Sequence, residues 1–372
     1  MKLLKYFTLA IAAIALVACS DDTVESNSNG NGNNNGDSAY SIVLTASNYS
    51  VEVNTPITFT VTTIDGQDVT AESSIFEKTN DFARTENPFT PTKDGEYIFF
   101  ASYDGKNSAY VAINVVPSIP ELPEDPMESS TSFHHRILLV DHTGVTCSNC
   151  PDMMLALKDV EETTVEAGVD LRDRYYEAAA HTYNNDPLGS AAANFVSSYY
   201  GVTSYPMVTY NFHHSTTSSQ NSAHIKSQIS SLWKANGADA GIAAASLLAN
   251  TCVVVNTEVK AATENEYRIT AWLLENNIYH KQTNAKAEWM NTHNHSIRQR
   301  VDSEEITGVS LGTIAAGETK STALTLKISS DKWNRENFEV LVIVSAKNAK
   351  GKFEVVNVAK CPINDFVQYD YI

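Results

Sequence analysis

Residues 137–152 read ILLVDHTGVTCSNCPD, that is Ile137-Leu-Leu-Val-Asp141-His-Thr-Gly-Val-Thr-Cys147-Ser-Asn-Cys150-Pro-Asp152. The run Ile137–Asp141 is apolar up to its last residue, as a strand buried on both faces requires. Met153, Leu157 and Val160 then recur at helical spacing. Strand, loop and helix in that order predict Cys147 at the helix N-terminus and Cys150 one turn inside. Unpaired N–H groups at a helix start favour the thiolate, the reactive form of cysteine. Pro151 fits the first turn, where a missing N–H costs nothing. Asp152 also suits a first turn, but its charge opposes thiolate formation. Cys147 and Cys150 therefore read as a redox dithiol or as a structural link. A metal site is not expected, because zinc takes four ligands and the chain has no second CxxC.

Working outward, the alternation of strand and helix continues. Tyr176–Tyr183 reads as a strand, and Leu188, Ala192, Phe195 and Tyr199 as a helix stopped at Gly201. Pro206–Phe212 reads as another strand, and Ile225, Ile229, Leu232 and Trp233 mark a last helix ending at Gly237. An α/β domain over residues 131–237 is the expectation.

On either side the period is two. In residues 39–116, Ile57, Phe59 and Val61 alternate with threonines, and Asp65-Gly66, Asp94-Gly95 and Asp104-Gly105 supply turns. These short strands predict a small immunoglobulin-like β-sandwich. Pro117, Pro120, Pro123 and Pro126 recur every third residue, so 117–130 is expected to be a semi-rigid linker between independent units. Residues 238–372 alternate again, as in Tyr267, Ile269, Ala271 and Leu273, and predict a C-terminal β-sandwich. The fold class is thus multidomain α+β.

The N-terminus sets the compartment. Lys2 and Lys5 precede an apolar run too short to span a membrane. Leu16-Val17-Ala18-Cys19 looks like a bacterial lipobox, which implies a signal peptide over 1–18 and lipidation of Cys19. Acyl chains at ~0.8 kcal/mol per buried CH₂ make such an anchor permanent. Residues 19–38 hold almost no apolar side chain and predict a flexible tether. Ser20-Asp21-Asp22 resembles a surface-export signal, and Asp22-Thr23-Val24 and Asp37-Ser38-Ala39 resemble an O-glycosylation consensus. The net charge is −18, and loss of Lys2 and Lys5 with the signal makes it more acidic still. Phosphate binding needs clustered cations, so this charge argues against nucleic acid as a partner. With Cys19 given to lipid, four cysteines remain. An even number in an oxidising compartment suits disulfides, and Cys252–Cys361 is expected as a structural one.

The central residues resemble the thioredoxin superfamily. ILLVDHTGVTCSNC aligns with the family's strand, acid and CxxC, with Asp141 six positions before Cys147 as the family's buried carboxylate is. Thr203-Ser204-Tyr205-Pro206 stands where that family has its cis-proline loop. The resemblance implies catalytic roles for Cys147, Cys150, Pro206 and Asp141, the last as proton acceptor for Cys150 or merely as an acid satisfied at a strand end. The sequence departs from the pattern at Ser148-Asn149 and at His142 and Thr143. It also leaves little room after Pro206 for the family's edge hairpin. Together with the lipobox and His293-Asn294-His295, these features resemble an envelope lipoprotein family named after a twenty-eight-kilodalton outer membrane protein. That resemblance spans 131–372 and implies outer-membrane association.

Two functions follow as expectations: thiol–disulfide exchange on envelope or extracellular proteins, or non-catalytic surface binding with a structural CxxC. Neither implies a cofactor. The histidine pairs at 134–135, 213–214 and 293/295 lack a third ligand at diagnostic spacing and read as solvated loop residues.

Overall fold

The computed structural model describes residues 41–166, 169–217 and 220–372. Cys19, the signal segment, the tether and both glycosylation-like triplets lie outside the described residues. The chain divides after Ser118 into two compact units.

The first unit is all strand. β1 (Ile42–Ala46) pairs antiparallel with β3 (Phe59–Thr63). A second sheet runs β2 (Ser50–Glu52), β8 (Val111–Val116), β6 (Gly95–Tyr103), β4 (Ser74–Glu77), β5 (Ala83–Thr85), with β7 (Lys106–Asn107) against β6. Alternation decides the faces. Ile42, Leu44 and Ala46 are buried while Val43 is exposed, and they share one core with Phe59, Phe99 and Ile113 of both sheets. Asp104 and Gly105 turn β6 into β7 with φ of 47° and 70°, the doubly left-handed turn that a right-twisted hairpin prefers.

The second unit begins with β9 (Ile137–Thr143), every residue of which is buried. α1 (Cys150–Glu161) follows, then a short pair, β10 (Thr164–Glu166) and β11 (Val169–Asp170). β12 (Tyr175–His181) lies parallel to β9, α2 (Ala191–Tyr199) is capped by the Ser190 side chain, and β13 (Met207–Tyr210) lies antiparallel to β9 on its other side. The strand expected over Pro206–Phe212 is shorter than that. Asn211 and Phe212 form a left-handed turn, with φ of 50° and 57°, into β14 (His213–Thr217). A turn of two residues is what fits the edge hairpin into the little room before α3 (Ser222–Leu232). Ile137 and Leu139 face α1 and α3, and Leu138 and Val140 face α2, as the two-residue period of a strand dictates.

The β half follows. β15 (Ala240–Leu248) and β16 (Cys252–Ala261) pair with β22 (Thr319–Lys327) and β25 (Phe366–Val367) in a four-stranded sheet. β17 (Asn265–Glu275), β20 (Ser296–Arg300), β21 (Val309–Ile314), β23 (Phe338–Lys347) and β24 (Phe353–Pro362) form the opposing layer. A valine- and leucine-rich core lies between the two layers. Between β17 and β20 the chain makes an excursion with its own small ladder, β18 (Ile278–Tyr279) and β19 (Thr292–His293).

Two expected boundaries are corrected. There is no break near 237–238, because β20 pairs with β12 through Ala179 and Ser296 and so joins both halves in one nine-stranded sheet. The physical reason is the open edge that β12 would otherwise present. Trp272, Leu274 and Leu341 of the β half also share a core with Ala180, Ala193 and Val196 of the α/β half. Of 117–130, expected as a semi-rigid linker between independent units, residues 119–130 are pinned to the second unit. Asn256 Nδ2 donates to Pro120 O at 2.9 Å. Lys260, only 2% exposed, reaches Asp125 Oδ2 at 2.9 Å and Glu128 O at 2.5 Å. Tyr371 Oη donates to Asp125 Oδ1 at 2.8 Å.

Candidate site around the Cys147–Cys150 disulfide

β9 carries the chain to Thr143, and four residues later it reaches Cys147. Cys150 is the first residue of α1. Cys147 therefore sits in the loop ahead of the helix, one turn earlier than expected, with its N–H on Gly144 O at 3.1 Å. The two sulfurs are joined in a disulfide, with Cα atoms 5.4 Å apart. Both residues are buried: Cys147 is 2% exposed and Cys150 is fully enclosed.

The loop is clamped from below. Asp186 Oδ2 accepts from Val145 N at 2.5 Å and Oδ1 from Leu188 N at 2.9 Å. His181 Nδ1 stands 3.4 Å from Asp186 Oδ1, longer than a good hydrogen bond. Burial alone raises the Asp186 carboxyl, but the His181 ring and the two N–H groups outweigh it and hold the group below its usual range. A Cβ on Gly144 would lie 2.5 Å from Tyr183 Cβ and 2.7 Å from Asp186 Oδ2, so only glycine lets the loop approach this closely. The His293 ring meets His181 edge-on at 5.1 Å. Burial, then the His181 charge, pushes His293 down to about 4.

Asp141 lies on β9 between Ala179 of β12 and Val208 of β13. It is 4% exposed and its Oδ1 has no hydrogen-bond partner. Burial, reinforced by the Glu177 charge, raises its carboxyl well above the ordinary value, because the carboxylate loses its hydration there. His142, fully enclosed, bridges Ser197 Oγ at 2.8 Å and Thr209 Oγ1 at 3.0 Å, and burial pushes it down to about 3. It stands there as a neutral, hydrogen-bonded ring. The Tyr205–Pro206 peptide is cis. Met207 pairs with His142, so Pro206 comes opposite Thr143, at the mouth of the loop that carries Cys147.

The residues that hold the CxxC loop from the other side come from far along the chain. The excursion between β17 and β20 returns across the CxxC loop. Thr283 N donates to Val145 O at 2.8 Å. Gln282 Nε2 donates to Cys147 O at 3.1 Å and to Gly144 O at 3.3 Å, and Asn284 Nδ2 donates to Ser148 O at 3.3 Å. Lys286 pairs with Asp152 in the first turn of α1. Sequence reasoning missed this set entirely. Asn277 and Asn284 adopt left-handed turns, with φ of 56° and 57°, and their residue type marks a loop but not where it lands.

The expected Cys252–Cys361 disulfide is absent. Cys361, on β24, points Sγ at Ala244 O, 3.7 Å away on β15. Ala244 pairs with Thr257 of β16. Cys252 lies five residues further along that strand, about 17 Å at ~3.3 Å per residue, whereas a disulfide needs Cα atoms within about 7 Å. Burial instead raises the Cys361 thiol to about 11. His135 accepts from Lys234 N at 3.0 Å, and burial pushes it down to about 4. Among the described residues no group of three or more His, Cys, Asp or Glu side chains could hold a metal ion, and no helix is long and apolar enough to cross a membrane.

The family described as outer membrane protein Omp28 matches residues 193–366. The match runs from α2 to the start of β25 and begins after both cysteines of the CxxC. A solved structure of HBP35 of Porphyromonas gingivalis is similar in fold, with a TM-score of 0.52 at 16% identity, over 63% of this chain and 77% of that one. No curated protein matches the chain. The location of the chain is the outer membrane, in keeping with the family that residues 193–366 match.

Proposed function

We propose that this is a lipid-anchored envelope protein that exchanges disulfides with other envelope proteins through Cys147 and Cys150 on a thioredoxin-like scaffold. The observation that carries the reading is the strand order β12-β9-β13-β14. α1 and α3 lie on one face of it and α2 on the other, with the CxxC between β9 and α1 and a cis-proline leading into β13. In the reduced protein, the Cys147 thiolate attacks a substrate disulfide. One new S–S bond forms and one substrate thiolate leaves. Cys150 then attacks the Cys147 sulfur, expels the second substrate thiolate and restores the Cys147–Cys150 bond. Two electrons pass to the substrate. The same steps run backwards oxidise a substrate dithiol. Asp141, as the carboxylate, takes the proton of Cys150 as that sulfur attacks, and burial strengthens its hold on that proton. Pro206 shapes the surface that meets the peptide.

The test is reduction of insulin by the purified protein with dithiothreitol as electron source. Wild type is expected to accelerate precipitation of the insulin B chain, and Cys147→Ser to abolish the gain. Equal rates for the two proteins refute catalysis. The near-complete burial of Cys147 favours a second reading, a surface-binding lipoprotein with an immunoglobulin-like first unit and a structural CxxC. Under that reading Cys150→Ala captures no mixed disulfide in cells.

A further inference from the structure

We infer that residues 280–291 are a built-in strap that closes the Cys147–Cys150 disulfide and occupies the surface where a client polypeptide would lie. The inference deepens the exchange reading and rests on it for the word client.

A loop ahead of a helix is normally reachable by solvent, yet Cys147 is 2% exposed. The strap is anchored over it by groups aimed at this loop. Four backbone carbonyls of the CxxC loop, those of Gly144, Val145, Cys147 and Ser148, accept hydrogen bonds from Gln282, Thr283 or Asn284. The bond from Thr283 N to Val145 O is main chain to main chain, the contact an extended peptide makes when it lies beside a strand. Gln282 is itself 2% exposed, and its own N–H is held by Asn291 Oδ1 at 2.9 Å, so the donor is set in place by the strap. At the outer end, Lys286 and Asp152 close the contact as an ion pair of half-exposed side chains. That pairing also offsets the negative charge that Asp152 places beside the helix start.

The strap packs through buried Met290 and Asn291, but it belongs to neither large sheet. Its base is a two-residue ladder, Ile278 with His293 and Tyr279 with Thr292, separate from both large sheets. An incoming chain with a cysteine can offer its own N–H to Val145 O once Thr283 withdraws. The occupant is thus an extended polypeptide segment, with the strap as its intramolecular competitor.

The experiment uses the oxidised full-length protein and its variants Gln282→Ala and Lys286→Glu. Each is treated with dithiothreitol, quenched with a maleimide at intervals and weighed by mass spectrometry to follow reduction of the Cys147–Cys150 bond. Loss of both Gln282 hydrogen bonds is expected to speed reduction about tenfold, and reversal of the exposed Lys286 charge by a factor of about two to three. Hydrogen exchange on the wild type supplies a measurement free of mutation: the Thr283 amide should exchange faster than those of β9 and should lose protection on reduction. Reduction at the wild-type rate in both variants, with melting temperatures preserved, overturns the strap. So does a Thr283 amide as slow as those of β9. The insulin assay separates the two readings. Faster reduction without insulin turnover leaves the strap standing and removes the exchange activity. Insulin turnover with unchanged reduction rates does the reverse.

Discussion

Replacing Gly144 with alanine isolates the clamp beneath the CxxC loop. The added Cβ would meet Tyr183 Cβ at 2.5 Å and Asp186 Oδ2 at 2.7 Å. Tyr183 Cβ is fixed by its own backbone and cannot swing aside. Asp186 is pinned by the N–H groups of Val145 and Leu188. The loop must therefore lift or the carboxylate must turn away. Overpacking of this kind costs ~1–3 kcal/mol, and a lost hydrogen bond to a charged group ~1.5–3 kcal/mol. One movement relieves the clash by breaking the bond, so the two do not add in full, and a total of about 3 kcal/mol is expected. For a folding unit of this size each kcal/mol lowers Tm by ~2–4 °C, which gives a fall of ~6–12 °C. Circular dichroism melts of the oxidised protein measure it. Asp186→Asn keeps one oxygen for Val145 N or Leu188 N and turns its NH₂ on the other, so it should cost about 2 kcal/mol. The double variant should fall short of the sum, because the group that the new methyl displaces has already lost its charge. A Gly144→Ala protein that melts within about 2 °C of wild type would refute both the close approach and the clamp.

Two further outcomes are expected. Asp141 has a carboxyl raised in the folded state by burial and by Glu177, so the folded protein holds a proton that the unfolded chain gives up above about pH 4. Wild type therefore loses stability relative to Asp141→Asn as pH rises from about 4 toward 8; urea unfolding at both pH values checks this, and a constant difference is the failing result. Lys260→Met leaves the Asp125 carboxylate and Glu128 O without their buried cation and should cost about 3 kcal/mol; urea unfolding gives the loss, and new protease cleavage within 119–130 shows the segment released, while an unchanged digest counts against the pinning.

Local signals carry the strands and helices. The apolar run at 137–141, the helical spacing of Met153, Leu157 and Val160, and the glycine stop at Gly201 all act within a few residues, and the structure has an element at each. The same holds for the Asp104-Gly105 turn. What escapes is long-range. Gln282 touches Cys147 from 135 positions away, and nothing in an Asn- and Lys-containing loop states which carbonyls it will meet. Counting cysteines pairs Cys252 with Cys361 because parity is blind to register, and the register of β15 on β16 sets them far apart. A proline every third residue describes the stiffness of 117–130 but not the Lys260 that holds it. Length alone argues against a hairpin after Pro206, yet Asn211 and Phe212 turn it in two residues.

The pairing of Ala179 with Ser296 also sets when the sheet can be completed as the chain emerges. A chain that emerges N-terminus first delivers the cysteines well before the strand that completes their sheet. Until residue 296 has emerged, β12 has a bare flank and α2 lacks the Trp272, Leu274 and Leu341 side of its core. The disulfide loop emerges uncapped too, since Gln282 arrives in that same late stretch. For that interval the CxxC loop lacks the hydrogen bonds of Gln282, Thr283 and Asn284, and the last third of the polypeptide supplies them when it docks.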